Sequence, residues 1–113
     1  MKYVRTKDER ILKSFRDEMS TLELETLIAQ EIIISNDEII AQADTIEDLC
    51  DKFVLITEIG IWERTSYRSM KSERNCYNKV RNDFIKEIYG AIWTEWGLKY
   101  VAKMNDKGDW ELL

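Results

Sequence analysis

Residues 88–113 read IYGAIWTEWGLKYVAKMNDKGDWELL, and this stretch decides the fold class. Ile88 to Thr94 (IYGAIWT) carries the β-branched and aromatic residues that suit a pleated, half-buried surface. Glu95-Trp96-Gly97 supplies a short turn. Leu98 to Met104 (LKYVAKM) then alternates, which predicts Leu98, Tyr100, Ala102 and Met104 on one face and Lys99 and Lys103 on the other. Asn105-Asp106-Lys107-Gly108 forms a second turn, in which Gly108 is free to take positive φ. Trp110 to Leu113 makes a final short strand. The expectation is a three-stranded antiparallel meander.

Upstream, Val54-Leu55-Ile56 starts a buried strand. Ahead of it, Asp44-Thr45-Ile46-Glu47 is a capping box, with Asp44 as N-cap and Glu47 reaching back from the third helical position. Ile46, Leu49, Cys50 and Phe53 follow at i, i+3, i+4 and i+7, which predicts a helix with one apolar face ending near Phe53. A second helical pattern runs from about Ser69 to Glu87, with Cys76, Tyr77, Val80 and Phe84 at i, i+1, i+4 and i+8. In the N-terminal half, Lys2 to Thr6 reads as a strand. Leu22 to Ile28 and Ile32 to Ile34 also read as strands, although Ser20-Thr21-Leu22-Glu23 suits a helix cap as well. Arg10 to Met19 stays open, because Ile11, Leu12, Phe15 and Met19 fit a helical spacing. No internal repeat and no Gly/Ser linker stands out. The expected fold class is α+β: a single domain over residues 1–113, with a small antiparallel β-sheet and a C-terminal three-stranded meander packed against one or two helices.

With 113 residues, 44% hydrophobic and including four tryptophans, the chain has enough apolar surface for a core and too much for a disordered one. It has no run of about 18 apolar residues, so no transmembrane helix is expected. Its start, MKYVRTKDER, lacks the apolar centre of a secretory signal. A cytoplasmic location is the resulting expectation. There, Cys50 and Cys76, which have no CxxC spacing, are expected as free thiols. The chain contains no histidine. That removes the commonest general base, the Ser-His and Cys-His nucleophile pairs and the standard zinc sites.

Charge is segregated. Asp17 to Glu63 holds thirteen acidic residues and one base, Lys52, whereas Arg64 to Lys86 holds seven bases and two acids. One reading is that these blocks lie close together and partly neutralise each other, each surface pair being worth about 0–1 kcal/mol. The other is a functional acidic face, which suits a basic protein groove built for phosphate.

Individual motifs give little chemistry. Asp44, Glu47, Asp48 and Asp51 have the composition of a carboxylate pair, but a capped, solvated helix face explains them better. Asn105 to Asp109 lacks the ligand alternation and terminal glutamate of a calcium loop. Ser66, Ser69 and Ser72 have no histidine to activate them and are better used in helix capping. Arg64, Arg68, Lys71, Arg74, Lys79, Arg81 and Lys86 interleave with Tyr67, Tyr77 and Phe84, the composition of a nucleic-acid-binding helix. Trp93, in a strand, is expected in the core. Trp96, at a turn, is harder to bury and is a candidate interface anchor.

MKYVRTKD at residues 1–8, QADTIEDLCDKFV at 42–54 and the stretch 88–113 together resemble a family of small proteins encoded in phages, prophages and conjugative elements of Gram-positive bacteria. The likeness covers about half of the chain and implies a small antiparallel sheet with one helix after the DTIE cap. Residues 9–40 and 61–87 depart from it, and it brings no catalytic residues to carry over. Small acidic proteins of such elements often act against host defence. The resemblance therefore implies a non-enzymatic inhibitor without cofactor or metal, an anti-CRISPR protein that meets an RNA-guided nuclease in the bacterial cytoplasm. Glu23, Glu25, Glu31, Asp37 and Glu38 would pair with groove lysines and arginines, with Trp96 as the aromatic anchor. The alternative is a nucleic-acid-binding regulator that uses the basic segment 64–86.

Overall fold

The computed structural model describes residues 3–13, 38–81 and 83–113. The chain divides into two compact units, residues 1–49 and 50–113. Its described residues are α+β: one helix and two antiparallel sheets.

In the first unit, β1 (Tyr3–Thr6) is the middle strand between β2 (Ile11–Lys13) and β3 (Ile39–Ala43). Both neighbours run antiparallel, with Arg5 opposite Ile11 on one side and Ala41 on the other. Thr6, 1% exposed, holds the β1–β2 turn together. Its N–H donates to Arg10 O at 3.0 Å, Arg10 N–H returns to its hydroxyl oxygen at 3.2 Å, and the hydroxyl donates to the Asp8 carboxylate. The buried hydroxyl is thereby satisfied. Glu9, at φ 65°, supplies the left-handed residue that the turn needs. Among the described residues of this unit, Val4, Ile11, Ile46 and Leu49 are buried apolar side chains.

The strand expected at the N-terminus is present, and Ile11–Lys13 settles the start of the open segment as a strand. Residues 14–37, including the strands expected at Leu22 to Ile28 and Ile32 to Ile34, lie outside the described residues.

The helix expected after Asp44 is a single 3₁₀ turn, Glu47–Leu49, in which Leu49 N–H donates to Ile46 O at 3.0 Å. Continuation is preempted by sheet pairing. Asp51 N–H is taken by Ala91 O at 2.9 Å, and Lys52 already opens β4 (Lys52–Thr57). Ile46, Leu49 and Phe53 are buried as the spacing suggested, but Phe53 reaches its place from a strand.

The second unit is a five-stranded antiparallel sheet in the order β5-β4-β6-β7-β8, formed by β4, β5 (Gly60–Arg64), β6 (Ile85–Thr94), β7 (Gly97–Met104) and β8 (Trp110–Leu112). β6, β7 and β8 are the expected meander. Its last turn is held by Asn105, whose side-chain oxygen accepts the N–H groups of Lys107 and Asp109, each at 3.0 Å, while Gly108 takes φ 86°. The alternation read in β7 breaks at one point. Gly90 lies opposite Ala102 but Ala91 lies opposite Tyr100, so Val101 is an extra, bulged residue. Ala102 and Met104 are buried as expected, Val101 is buried beside them, and Tyr100 is exposed instead of sharing their face.

Helix α1 (Tyr67–Val80) connects β5 to β6. Ser66 is its N-cap and accepts Ser69 N–H at 3.2 Å, in keeping with a capping role. Met70, fully buried, joins Phe53, Leu55, Ile88 and Met104 in the core, with Tyr67 and Trp110 packed against them. Phe53 lies opposite Gly90, where the missing side chain leaves room for the Cys50 thiol and the Trp110 ring. Cys50 and Cys76 are not joined in a disulfide.

The helix is shorter than its sequence pattern. Arg81 turns extended at φ −155° and is held outside by Glu58, at 2.7 Å, and by Asp83, at 3.1 Å. Phe84 stacks on Tyr77 with ring centroids 4.9 Å apart, and Ile85 to Glu87 join β6 against β4. Phe84 thus belongs to the connection and not to the helical face that its spacing suggested.

Candidate interaction site

Two hairpin turns of the second unit share the pattern Thr-Glu-X-Gly: Thr57-Glu58-Ile59-Gly60 between β4 and β5, and Thr94-Glu95-Trp96-Gly97 between β6 and β7. In each, the threonine hydroxyl donates to the glycine carbonyl, at 2.7 Å and 2.9 Å. It also accepts the N–H of residue X, at 3.3 Å and 3.1 Å. Gly97 takes φ 111°, which a side chain would resist. This geometry drives residue X outward. Ile59 is 74% exposed and Trp96 89% exposed.

Trp96 does not stand alone. Trp93 is 52% exposed, which corrects its expected place in the core. Strand parity explains the difference: Ile92 takes the buried position, and Trp93 falls on the sheet face opposite to the one Gly90 presents to Trp110. Its backbone N–H donates to Asp51 Oδ2 at 2.7 Å, and Lys52 Nζ lies 5.9 Å from its ring. Leu98 faces it across β7, followed by the exposed Tyr100. Tyr100 stacks on Tyr89, with centroids 4.7 Å apart. The Tyr89 hydroxyl donates to Glu87 at 2.7 Å, and that carboxylate holds the phenol above its ordinary pKa. The result is a hairpin tip with two exposed indoles and a tyrosine behind them. It offers apolar contact area.

Of the acidic residues singled out for partner binding, Glu38 is described: it is exposed at the entry to β3, and its carbonyl accepts Lys7 N–H at 2.8 Å. Glu23, Glu25, Glu31 and Asp37 lie outside the described residues. Glu38 belongs to the first unit and Trp96 to the second.

The basic segment resolves into two groups. Arg64 makes a two-pronged pair with Glu73, both contacts at 2.6 Å, which holds its guanidinium above the usual arginine pKa. Arg81 pairs with Glu58 and Asp83. Arg68, Lys71, Arg74 and Lys79 project from α1, and among the described residues no carboxylate pairs with them.

Among the described residues no three Cys, Asp or Glu side chains gather to hold a metal, and no helix is long and apolar enough to cross a membrane. In comparisons with known proteins, no family model, no curated protein and no solved structure matches the chain.

Proposed function

We propose that this chain is a non-enzymatic binding protein that seats the β6–β7 tip, Trp96 with Trp93 beside it, in a pocket of a protein partner, and that it acts there as an inhibitor of mobile-element origin. The observation that carries the reading is an indole 89% exposed on a turn pinned by its own threonine. The turn backbone that carries it is already fixed, so the order lost on docking is confined to the side chain, which gains a large apolar contact, as interface anchors do.

The partner is an RNA-guided nuclease, and the chain an anti-CRISPR protein. This part of the proposal is supported by the resemblance of residues 1–8, 42–54 and 88–113 to phage and mobile-element proteins and by the acidic density of Asp17 to Glu63. Glu23, Glu25, Glu31, Asp37 and Glu38 supply the charge that meets the groove, and the indoles supply the anchor.

The test is recovery of a tagged chain from a Gram-positive host that carries such a nuclease, followed by a DNA-cleavage assay on the recovered complex. The expected result is co-recovery with loss of cleavage. Trp96→Ala should weaken the complex by about 30-fold or more, the loss of a hot-spot side chain. Reversing the five acidic positions should weaken it further at low salt. Binding that is indifferent to both changes removes the mechanism, and a recovered nuclease that still cuts removes the inhibitor reading.

A further inference from the structure

The outer face of α1 carries a second surface, separate from the hairpin tip. Arg68, Lys71, Ser72, Asn75 and Lys79 are all exposed. At 3.6 residues per turn they fall within an arc of about 100° and extend over about 16 Å of helix. The one acidic residue of the helix, Glu73, lies outside this arc and is occupied by Arg64. Among the described residues no carboxylate neutralises Arg68, Lys71 or Lys79. Arg74, half-buried beside Gly108, borders the strip.

We infer that this strip binds the phosphate backbone of a nucleic acid. An acidic peptide is the other polyanion to consider, but the strip contains no aromatic or aliphatic side chain to anchor one. Its donors are arginine, lysine, serine and asparagine, the side chains that contact phosphate oxygens. A line of cations along one helix face matches a backbone that repeats its charge every few ångströms. Arg68 and Asn75 are residue types that can also reach base edges, but the line of cations on phosphate carries the contact, so binding should vary little with sequence. The acidic remainder of the chain, at a net charge of −5, limits its strength and confines it to modest salt.

The experiment is fluorescence anisotropy of a labelled DNA duplex of about 20 base pairs and of a single-stranded RNA of the same sequence, titrated with the full chain across a salt series. The expected result is binding at low salt that falls with a log–log slope of about −3 on the duplex, one unit for each of three phosphate contacts. The variant Arg68→Gln/Lys71→Gln/Lys79→Gln should lose at least tenfold. Lys7→Gln/Lys86→Gln/Lys99→Gln removes the same charge from other exposed positions and should stay within about threefold if the strip is the site. The duplex and RNA arms decide which backbone is preferred, and loss on either through the strip variant supports the proposal. Absence of binding at low salt, equal losses in the two variants, or displacement by polyglutamate as readily as by unlabelled DNA would each overturn it.

Discussion

The Thr94 hydroxyl donates to the carbonyl oxygen of Gly97 at 2.9 Å and accepts the N–H of Trp96 at 3.1 Å, so one side chain shapes the backbone that displays the indole. Thr57 does the same for Gly60 and Ile59. The shared Thr-Glu-X-Gly pattern is a local repeat, too short to stand out in the sequence, that gives both hairpins one turn design.

Thr94→Val keeps the branched shape and removes both hydrogen bonds. It should cost about 1–2 kcal/mol in urea unfolding, whereas Thr94→Ser should lose much less. The valine variant should also weaken partner binding beyond its effect on stability, because Trp96 then has to be ordered on docking. Equal binding by the valine and serine variants would show that the turn contributes no pre-organisation.

Gly90 is fixed by packing. A Cβ there would sit 2.7 Å from Cys50 Sγ and 3.7 Å from the Trp110 ring. Gly90→Ala should therefore destabilise by about 1–3 kcal/mol, the range for overpacking a core. Cys50→Ala in the same chain removes the sulfur and should restore part of the loss, so the two changes will be non-additive in thermal or urea unfolding. Additive losses would place the strain elsewhere.

The meander was legible because its turns are marked by Gly97 and Gly108 and its strands by period-two apolar residues. The bulge at Val101 was not, since LKYVAKM alternates cleanly on paper and the extra residue appears when β7 is aligned with β6. Ile46, Leu49, Cys50 and Phe53 gave a helical spacing that reports the burial of Ile46, Leu49 and Phe53 correctly, with Cys50 half-buried, and conformation wrongly, because a turn followed by a strand meets the same periodicity. β5 went unread: GIWER is short, and the turn that launches it reads clearly beside TEWG. At the candidate site, the exposure of Trp96 follows from a turn that the sequence marks. That of Trp93 depends on strand parity, which turns on where β6 begins.

The Arg64–Glu73 pair ties β5 to α1 through two parallel contacts, and Arg64 also lies 5.5 Å from the Trp62 ring. Arg64→Lys keeps the charge and loses the fork, so it should be clearly destabilising and not a silent exchange. Glu73→Gln should cost about 1 kcal/mol, and the cost should shrink at high salt because both groups are partly exposed. Comparing urea midpoints at low and high salt checks both.

Asp8 gives the β1–β2 turn a pH dependence. Arg10, at 2.6 Å, and the Thr6 hydroxyl hold its carboxyl below the ordinary carboxylate range. A carboxylate whose pKa is lowered by folding adds stability above its unfolded value and loses that contribution as pH falls through the folded one. Asp8→Asn should therefore be slightly less stable near neutral pH, by less than about 1 kcal/mol because both side chains are about half exposed. The difference should vanish under acid conditions, where the wild-type carboxyl is protonated as well. NMR titration of the Asp8 carboxyl in the wild type and in Arg10→Gln is the direct check: the loss of Arg10 should move the midpoint up toward the ordinary range, and an unchanged midpoint would exclude the ion pair as its cause.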